Sequence, residues 1–333
     1  MALAMAVLGA FNPVNGQSVA DFYNGRTLTM MIGVEPGTGY DLYSRTLLRF
    51  MAPRIPGSPK VVFQNMPGAS GINAANWMYN VAAKDGSVMG MFGPEAAFAP
   101  ALGSIVTHYD SLRFTWLGNL DESVATCGVW NNSGIKTLDD LRKTETAFAA
   151  TGPNGAPSEF AYGLKNLLGA KIKVVQGYKG TAAMRLAMEK GEAGGGCGIS
   201  LSTLKTTWRA DVEAGRFIPL AEFGLKPHPE LKTAVHVYDY AKTEEEREMF
   251  DVAFGRHALG RPVMAPPDIP ADRAAALQNA FIETVKDPAF LAEAARQGLD
   301  INVSTGDEVR ALLKSFFATP KEVIERAEAA VRE

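Results

Sequence analysis

The sequence predicts an α/β protein with mainly parallel sheets, built from two compact units. Strand-like apolar segments alternate with amphipathic helical segments along most of the 333 residues, which is typical of βαβ units. Hydrophobic residues make up 47% of the chain and charged residues 21%, so a sizeable core is expected. Since no Gly/Ser-rich linker divides the chain, we expect it to cross between the units more than once and to leave a ligand cleft between them.

The predicted strands are short apolar runs bounded by turn residues, at 27–34, 60–64, 87–92, 113–120, 124–130, 146–151, 171–176, 194–200, 217–222 and 257–265. The predicted helices carry an apolar stripe at helical spacing, at 41–52, 71–83, 181–190, 243–254, 271–286, 288–298, 306–317 and 320–332. Pro270, Pro288 and Pro320 stand near the starts of three of these helices, where proline is tolerated. The last third of the chain is therefore expected to be mainly helical.

The most informative segment is the glycine-rich junction between the first predicted strand and the first predicted helix. It contains Pro36, Gly37, Thr38, Gly39, Tyr40 and Asp41. Glycines let the backbone turn tightly, and the unpaired N–H groups at a helix start attract a carboxylate or a phosphate. Leu42 stands where a dinucleotide-binding fingerprint requires its third glycine, and no Gly-Lys-Ser/Thr follows as in a P-loop. The junction is either an anion site of another kind or a simple turn.

Three further turns have the same form. They contain Ala69 and Ser70 in the segment 64–73, Thr151, Gly152, Asn154 and Ser158 in the segment 151–159, and Tyr178 and Gly180 in the segment 176–181. Turns that follow neighbouring parallel strands meet at one edge of the sheet, so we expect them to face the cleft. The competing interpretation is a set of unrelated helix caps, and for Ser158 alone capping is the better interpretation.

Charge and motif content argue against several classes of function. The net charge is −3 and no Lys/Arg block is longer than two residues, so nucleic acid is not an expected partner. The four histidines are scattered without metal-ligand spacing, and we expect neither a metal nor a cofactor. The acidic runs at 139–140 and 244–246 fall at expected helix starts, where they favour the helix dipole instead of forming a catalytic pair.

The N-terminal segment suggests export. Residues 1–11 form an apolar run of the length found in signal peptides, and Ser18-Val19-Ala20 offers a small-x-small cleavage site. Because no Lys or Arg precedes the run, either the true start lies upstream or the segment is an ordinary N-terminal helix. We expect residues 1–20 to be a signal peptide and the protein to reach the periplasm.

Two cysteines, Cys127 and Cys197, exclude a disulfide-dense scaffold. Cys197 lies in the glycine-rich run 194–198, and no nearby base can be assigned to it from the sequence. The sequence therefore favours a packed strand cysteine over a nucleophile, because free cysteine usually behaves as a small buried hydrophobe.

Several short motifs are informative as an ordered set. They are residues 36–41 with Arg45, 65–71, Lys84-Asp85-Gly86, 136–141, 178–181 and 265–270. Their order and spacing, from about Phe22 to the C-terminus, resemble the substrate-binding proteins of tripartite tricarboxylate transporters, the Bug family. The resemblance implies a type II periplasmic binding protein fold, with two α/β lobes that each hold a mainly parallel sheet and are joined by crossing hinge strands. Lobe I is expected to comprise residues 21–124 plus 226–333, and lobe II residues 125–225.

The same resemblance implies a non-enzymatic solute-binding protein without a cofactor. Such a protein captures a small carboxylate between its lobes and, as a monomer, delivers it to membrane transporter subunits. Similar proteins hold one carboxylate through the first glycine-rich loop, which here points to residues 36–41 with Ala69 and Ser70, the aspartate supporting the arrangement. From the second lobe they use the regions that match 151–158 and 178–180. In this fold Cys127 and Cys197 lie in strands of the second lobe and either form a disulfide in an oxidising periplasm or remain free thiols.

Two departures from the family pattern concern the pocket. Thr38 replaces a glycine and a bulky Tyr40 precedes Asp41, while the glycine-rich run 194–198 removes an expected acidic residue from the second lobe. We expect a roomier, less acidic wall that admits an aromatic or longer dicarboxylate. Two other functions stay open: a periplasmic sensor that presents its closed form to a signalling partner, and an α/β enzyme that uses Cys197 or Asp41. The lack of an assignable acid–base pair argues against the enzyme.

Overall fold

The computed structural model describes residues 17–102, 106–153 and 155–333, apart from the side chain of Ser70. Most of the expected signal peptide, together with Asn154, therefore lies outside the described residues. The strands are β1 (Thr27–Ile32), β2 (Lys60–Asn65), β3 (Val88–Met91), β4 (Thr115–Asn119), β5 (Ala125–Trp130), β6 (Thr146–Ala149), β7 (Ile172–Val175), β8 (Gly195–Ser200), β9 (Phe217–Glu222), β10 (Val235–His236), β11 (Pro262–Ala265) and β12 (Ser304–Thr305).

The helices alternate with these strands and then dominate the C-terminal part. They are α1 (Val19–Tyr23), α2 (Gly39–Met51), α3 (Ile72–Asn80), α4 (Pro94–Leu102), α5 (Leu138–Lys143), α6 (Ala156–Leu168), α7 (Thr181–Glu189), α8 (Leu201–Lys205), α9 (Arg209–Glu213), α10 (Glu244–Ala253), α11 (Ala271–Val285), α12 (Pro288–Arg296), α13 (Gly306–Ala318) and α14 (Lys321–Ala330). The predicted helical C-terminal third is thus present.

The strands form two six-stranded sheets, one for each lobe. Their orders are β12-β4-β11-β3-β1-β2 in the first sheet and β10-β9-β5-β8-β6-β7 in the second. Most strands within each sheet run in one direction, as the sequence predicted, but both sheets are mixed: β11 runs antiparallel to β3 and β4, and β5 runs antiparallel to β8 and β9. The reason is that β5 and β11 enter their sheets from the hinge. The βαβ strands end at that edge, so a strand that begins there must run the other way.

The hinge is a set of chain segments held together by backbone hydrogen bonds. Residues 120–124 connect β4 to β5, and within them the N–H of Ser123 donates to the carbonyl oxygen of Ala258 at 3.2 Å. The N–H of Gly260 donates to the carbonyl oxygen of Asp121 at 2.9 Å. The second sheet also takes up β10, and α14 packs against α6 and α10. Segments beyond residue 225, which the sequence assigned to lobe I, therefore contact lobe II.

Capping explains why acidic residues stand at several helix starts. The Thr137 hydroxyl accepts from the N–H of Asp140 at 3.1 Å, and the Asp140 carboxylate accepts from the N–H of Thr137 at 3.0 Å. Thr243 and Glu246 form the same reciprocal pair at the start of α10. These capping boxes satisfy N–H groups that have no partner inside the helix. The acidic residues at positions 140 and 246 therefore stabilise helix ends, in agreement with the expectation that they are not catalytic.

A disulfide joins Cys127 on β5 to Cys197 on β8. Both cysteines are fully buried in the sheet of lobe II, at a point where the register between the two strands shifts. The residues are 70 positions apart in the sequence. The covalent link therefore encloses the whole βαβ portion of this lobe, from β6 through α7.

Candidate ligand-binding site

The first glycine-rich loop, residues 33–38, connects β1 to α2. Thr38 is the N-cap residue of α2, but its hydroxyl makes no cap hydrogen bond and donates to the carbonyl oxygen of Glu35 at 2.9 Å. Gly37 has a φ of +78°, in the left-handed region that favours glycine. Because no described side chain caps this turn, the first N–H groups of α2 are oriented to receive an anion.

Asp41 holds this loop in place. Its buried carboxylate accepts from the N–H of Gly37 at 3.0 Å, from Nε of Arg45 at 2.9 Å and from Nδ2 of Asn65 at 3.2 Å. The hydrogen bond from Arg45, assisted by those from Gly37 and Asn65, keeps the pKa of Asp41 below its ordinary value. The carboxylate is therefore ionised and occupied by protein donors. Asp41 supports the loop, and its own acceptors are not directed at a ligand.

The second loop, residues 66–71, connects β2 to α3 and touches the first loop. A Cβ atom on Gly33 would lie 3.0 Å from Cα of Gly71, so the two backbones approach this closely because both residues are glycines. Ala69 has a φ of +46°, an uncommon conformation for a residue with a side chain and one that concentrates at functional sites. The predicted residues 36–41 and Ala69 therefore lie at the same edge of the first sheet. The side chain of Ser70 is outside the described residues.

The two predicted turns of lobe II are also joined to each other. The N–H of Gly177 donates to the carbonyl oxygen of Thr151 at 2.7 Å, and the N–H of Tyr178 donates to that of Ala150 at 3.2 Å. Ser158 is buried, and its hydroxyl donates to the carbonyl oxygen of Gly152 at 2.7 Å. Ser158 thus stabilises its own turn, but it does not cap the helix as the sequence favoured, because the N-cap residue of α6 is Gly155. No hydrogen bond among the described residues links these turns to the loops of lobe I.

A cavity of about 530 Å³ lies between the lobes beside the hinge. Helix α2 and the hinge contribute Tyr43, Asp121 and Arg261 to its wall, whereas lobe II contributes Ser200, Lys205 and His228. Among the described residues that the sequence predicted as ligand-binding, Gly39 lines this cavity. The cavity therefore extends from the start of α2 towards the hinge, away from the turns at 151–158 and 177–180.

Arg261, directly before β11, lies against the first turns of α2. Its guanidinium carbon is 4.3 Å from the ring centre of Tyr40 and 4.8 Å from that of Tyr43, which are cation–π distances. Burial raises the pKa of the Tyr40 phenol to about 12, and the charge of Arg261 acts in the opposite direction. Burial also raises the pKa of Asp121 to about 6, again opposed by Arg261. A cationic group and a weakly acidic carboxyl group thus share the wall of the cavity.

Sequence reasoning did not find Arg261, because it placed this residue inside a strand at 257–265. The structure has a short helical turn over Gly255–Ala258 and begins β11 at Pro262, which leaves Arg261 at the strand entrance. The available signal was a cation between Gly260 and Pro262 in an otherwise apolar run. Within the ranges that the structure describes, no three His, Cys, Asp or Glu side chains form a metal-binding group, and no helix is long and apolar enough to cross a membrane.

Comparison with known proteins identifies the architecture. No protein-family model and no curated protein sequence matches the chain. Solved structures do match: a TctC solute-binding protein from Polaromonas, crystallised without ligand, superposes with a TM-score of 0.72 at 16% identity, over 91% of this chain and 99% of that one. The periplasmic binding protein BugD gives a TM-score of 0.57 at 19% identity, over 93% of this chain and 99% of its own. The chain has the two-lobed fold of periplasmic binding proteins.

A third matching structure contains a bound ligand. MatC from Rhodopseudomonas palustris, with bound malate, matches with a TM-score of 0.55 at 17% identity, over 92% of this chain and 99% of that one. These matches confirm the expected periplasmic binding protein fold and the structural likeness to proteins of the TctC and Bug type.

Proposed function

We propose that the chain is an extracytoplasmic solute-binding protein that captures a small carboxylate, either a dicarboxylate or an aromatic acid, between its lobes. In this proposal it delivers the solute to a membrane transporter of the tripartite tricarboxylate type and has no catalytic activity. The observation that carries the proposal is the uncapped first turn of α2, held open by Asp41 and in backbone contact with the second loop through Gly33 and Gly71. Such a turn offers N–H donors and the positive end of a helix dipole to an anion.

Two further observations support the proposal. The wall of the interlobe cavity carries hydroxyl groups and the guanidinium of Arg261, which forms no ion pair among the described residues, whereas Lys205 is paired with Glu230 at 2.7 Å. MatC, which shares the fold at low sequence identity, binds malate. The disulfide between Cys127 and Cys197 agrees with export, because such bonds persist in oxidising compartments such as the periplasm.

A thermal-shift screen tests the ligand class. The mature protein is incubated with malate, succinate, adipate and benzoate, and in parallel with the uncharged amides of the same acids. An acid present at about 100 times its Kd stabilises the folded protein by about 2.7 kcal/mol, whereas its amide leaves the melting temperature unchanged. If no acid shifts the melting temperature, or if acid and amide shift it equally, a carboxylate-binding function is excluded.

A matched pair of substitutions tests the location. A Cβ atom on Gly39 meets a single group within 4 Å, Nη2 of Arg261 at 3.4 Å, so a short side chain fits there. We expect Gly39→Asp to place a carboxylate over the first turn of α2 and to abolish binding of the best acid from the screen. Gly39→Asn adds the same bulk without the charge and should weaken binding less. Unchanged affinity in both variants would place the site elsewhere.

Export and delivery require separate experiments. N-terminal sequencing of the protein recovered from a periplasmic fraction should begin near Asp21, and a cytosolic protein that keeps Met1 would contradict export. Delivery predicts that deletion of the chain abolishes uptake of the bound acid by cells that contain the transporter. Retention of uptake, together with loss of a transcriptional response to the acid, would indicate a sensor instead. Size-exclusion chromatography with light scattering tests the proposed monomer.

A further inference from the structure

Arg261 differs from the guanidinium groups that have a purely structural role in this protein. Arg256 donates to Glu159 at 3.0 Å and also pairs with Glu328, and Arg185 contacts Asp211 at 2.5 Å. Arg261 forms no ion pair with any described residue. Its Nη1 donates to the neighbouring carbonyl oxygen of Gly260 at 2.5 Å, and its Nε is buried without an acceptor. A partly buried arginine is usually paired with an acidic group, so the unpaired charge of Arg261 is unusual.

The position of this guanidinium is defined by its neighbours. Tyr40 and Tyr43 are one helical turn apart on α2 and both rings contact it, while its backbone N–H donates to Oδ1 of Asn119 at 2.8 Å. Its Nη2 lies 3.4 Å from the position of a Cβ atom on Gly39, next to the uncapped start of the helix. The guanidinium therefore lies between the helix N-terminus and the interlobe cavity, and it lines that cavity.

Asp121 is the acidic residue of the cavity wall that interacts with Arg261, but it does not neutralise it. Its Oδ2 accepts from the hydroxyl of Ser123 at 3.0 Å and forms no ion pair with Arg261. Burial raises the pKa of Asp121 to about 6, so this carboxyl group holds its negative charge weakly. The wall also carries Glu122, Asp300 and Glu230, the last paired with Lys205, so the positive charge next to the start of α2 is that of Arg261.

We propose that Arg261 binds the solute carboxylate directly, together with the first turn of α2. The guanidinium forms the ion pair and the helix N–H groups supply further hydrogen bonds, while the rest of the solute extends into the cavity towards Ser200 and His228. This inference rests on the proposed carboxylate-binding function. It adds to that function a specific cationic residue that the sequence pattern did not indicate. An arginine fork matches the two oxygens of a carboxylate, which a helix N-terminus alone does not.

The test uses isothermal titration calorimetry with malate, succinate, adipate and benzoate on the wild-type protein and on three variants. Arg261→Gln removes the charge, and Arg261→Lys keeps the charge but loses the fork. Arg273→Gln is the matched control, because Arg273 also contacts an aromatic ring, that of Phe22 at 3.6 Å, and has a buried Nε without an acceptor. It bonds to the carbonyl oxygen of Asp85 at 2.7 Å and does not line the interlobe cavity.

For the acid that binds the wild type most tightly, we expect Arg261→Gln to raise Kd at least about 30-fold, Arg261→Lys to give an intermediate Kd, and Arg273→Gln to leave Kd unchanged. Circular dichroism shows which variants are folded, and Arg261→Lys carries the test if the glutamine variant is not. Equal Kd values for the wild type and the folded Arg261 variants overturn the role of Arg261 but leave the proposed function intact. A wild type that binds none of the acids overturns both.

Discussion

The disulfide between Cys127 and Cys197 predicts a large and measurable contribution to the stability of lobe II. Replacing both cysteines by alanine opens a covalent loop of 70 residues. The chain-entropy relation for a loop of this length gives about 4.4 kcal/mol at 25 °C, and measured losses for native disulfides are about 2–5 kcal/mol. We therefore expect the double variant to lose about 3–4 kcal/mol of unfolding free energy.

Urea titration followed by tryptophan fluorescence and far-UV circular dichroism measures this loss. Trp130 and Trp208 are buried in the core of lobe II and report on the lobe that contains the disulfide. Coincident transitions from the two probes are required before a single free energy is assigned, because a two-lobed protein can unfold in two steps. The slope of free energy against urea serves as a second check on the unfolded state.

The single variants provide the internal control. If the bond exists in solution, Cys127→Ala and Cys197→Ala each destroy it, so each loses nearly as much stability as the double variant. If the thiols are free, each single variant loses only the packing of one sulfur atom, so each single loss is small and the double loss exceeds it. A double variant that loses less than about 1 kcal/mol, or two free thiols found by mass spectrometry of the native protein, would refute the reasoning.

Three other predictions follow from the site. Asp121→Asn should stabilise the protein by about 1–3 kcal/mol at pH 7.5, because burial raises the folded-state pKa of Asp121 to about 6, above its ordinary value of 3.8. The advantage should vanish as the pH falls through that interval, and thermal unfolding at several pH values checks this. Asp41→Asn should cost about 1–3 kcal/mol above pH 3.8 and less below it, because the folded-state pKa of Asp41 is lowered; an equal loss in urea at pH 3 and pH 7 would contradict the ion pair. Gly33→Ala brings a Cβ atom to 3.0 Å from Cα of Gly71, so it should cost about 1–3 kcal/mol and weaken carboxylate binding by separating the loops, as calorimetry would show.

Local pattern was sufficient to predict most of the elements. The strand at 60–64 and the helices at 271–286 and 306–317 appear as β2, α11 and α13 within two residues of their predicted ends. By contrast, β10 and β12 were missed, because two-residue strands exist through their pairing with β9 and β4 and have no periodicity of their own. The directions of β5 and β11 could not be predicted, since the point at which a strand enters a sheet depends on the hinge and not on its residues.

In the candidate site, too, local sequence predicted some features and long-range contacts determined the others. The glycine-rich junction before α2 identified the uncapped turn at which we propose that the anion binds, because glycine content and a helix start are both visible in sequence. The contact between Asn65 and Asp41 joins residues 24 positions apart. The contact between Arg261 and Tyr40 joins residues 221 positions apart, and no local spacing encodes either contact. Arg261 could be placed only once β11 was known to start at Pro262 and to run antiparallel to β3 and β4.

The order of strands in the first sheet has a consequence for how the protein is made. β11 lies between β3 and β4, although all of lobe II separates it from them in the sequence. A nascent chain that ends before residue 262 can pair β5 with β8 and β9, but its β3 and β4 keep unpaired edges of the kind that promote aggregation. The sheet of lobe II can therefore form first, and the sheet of lobe I is completed when the returning segment inserts. Arg261 arrives with that segment, so the carboxylate contact proposed for it forms only when the first sheet is complete.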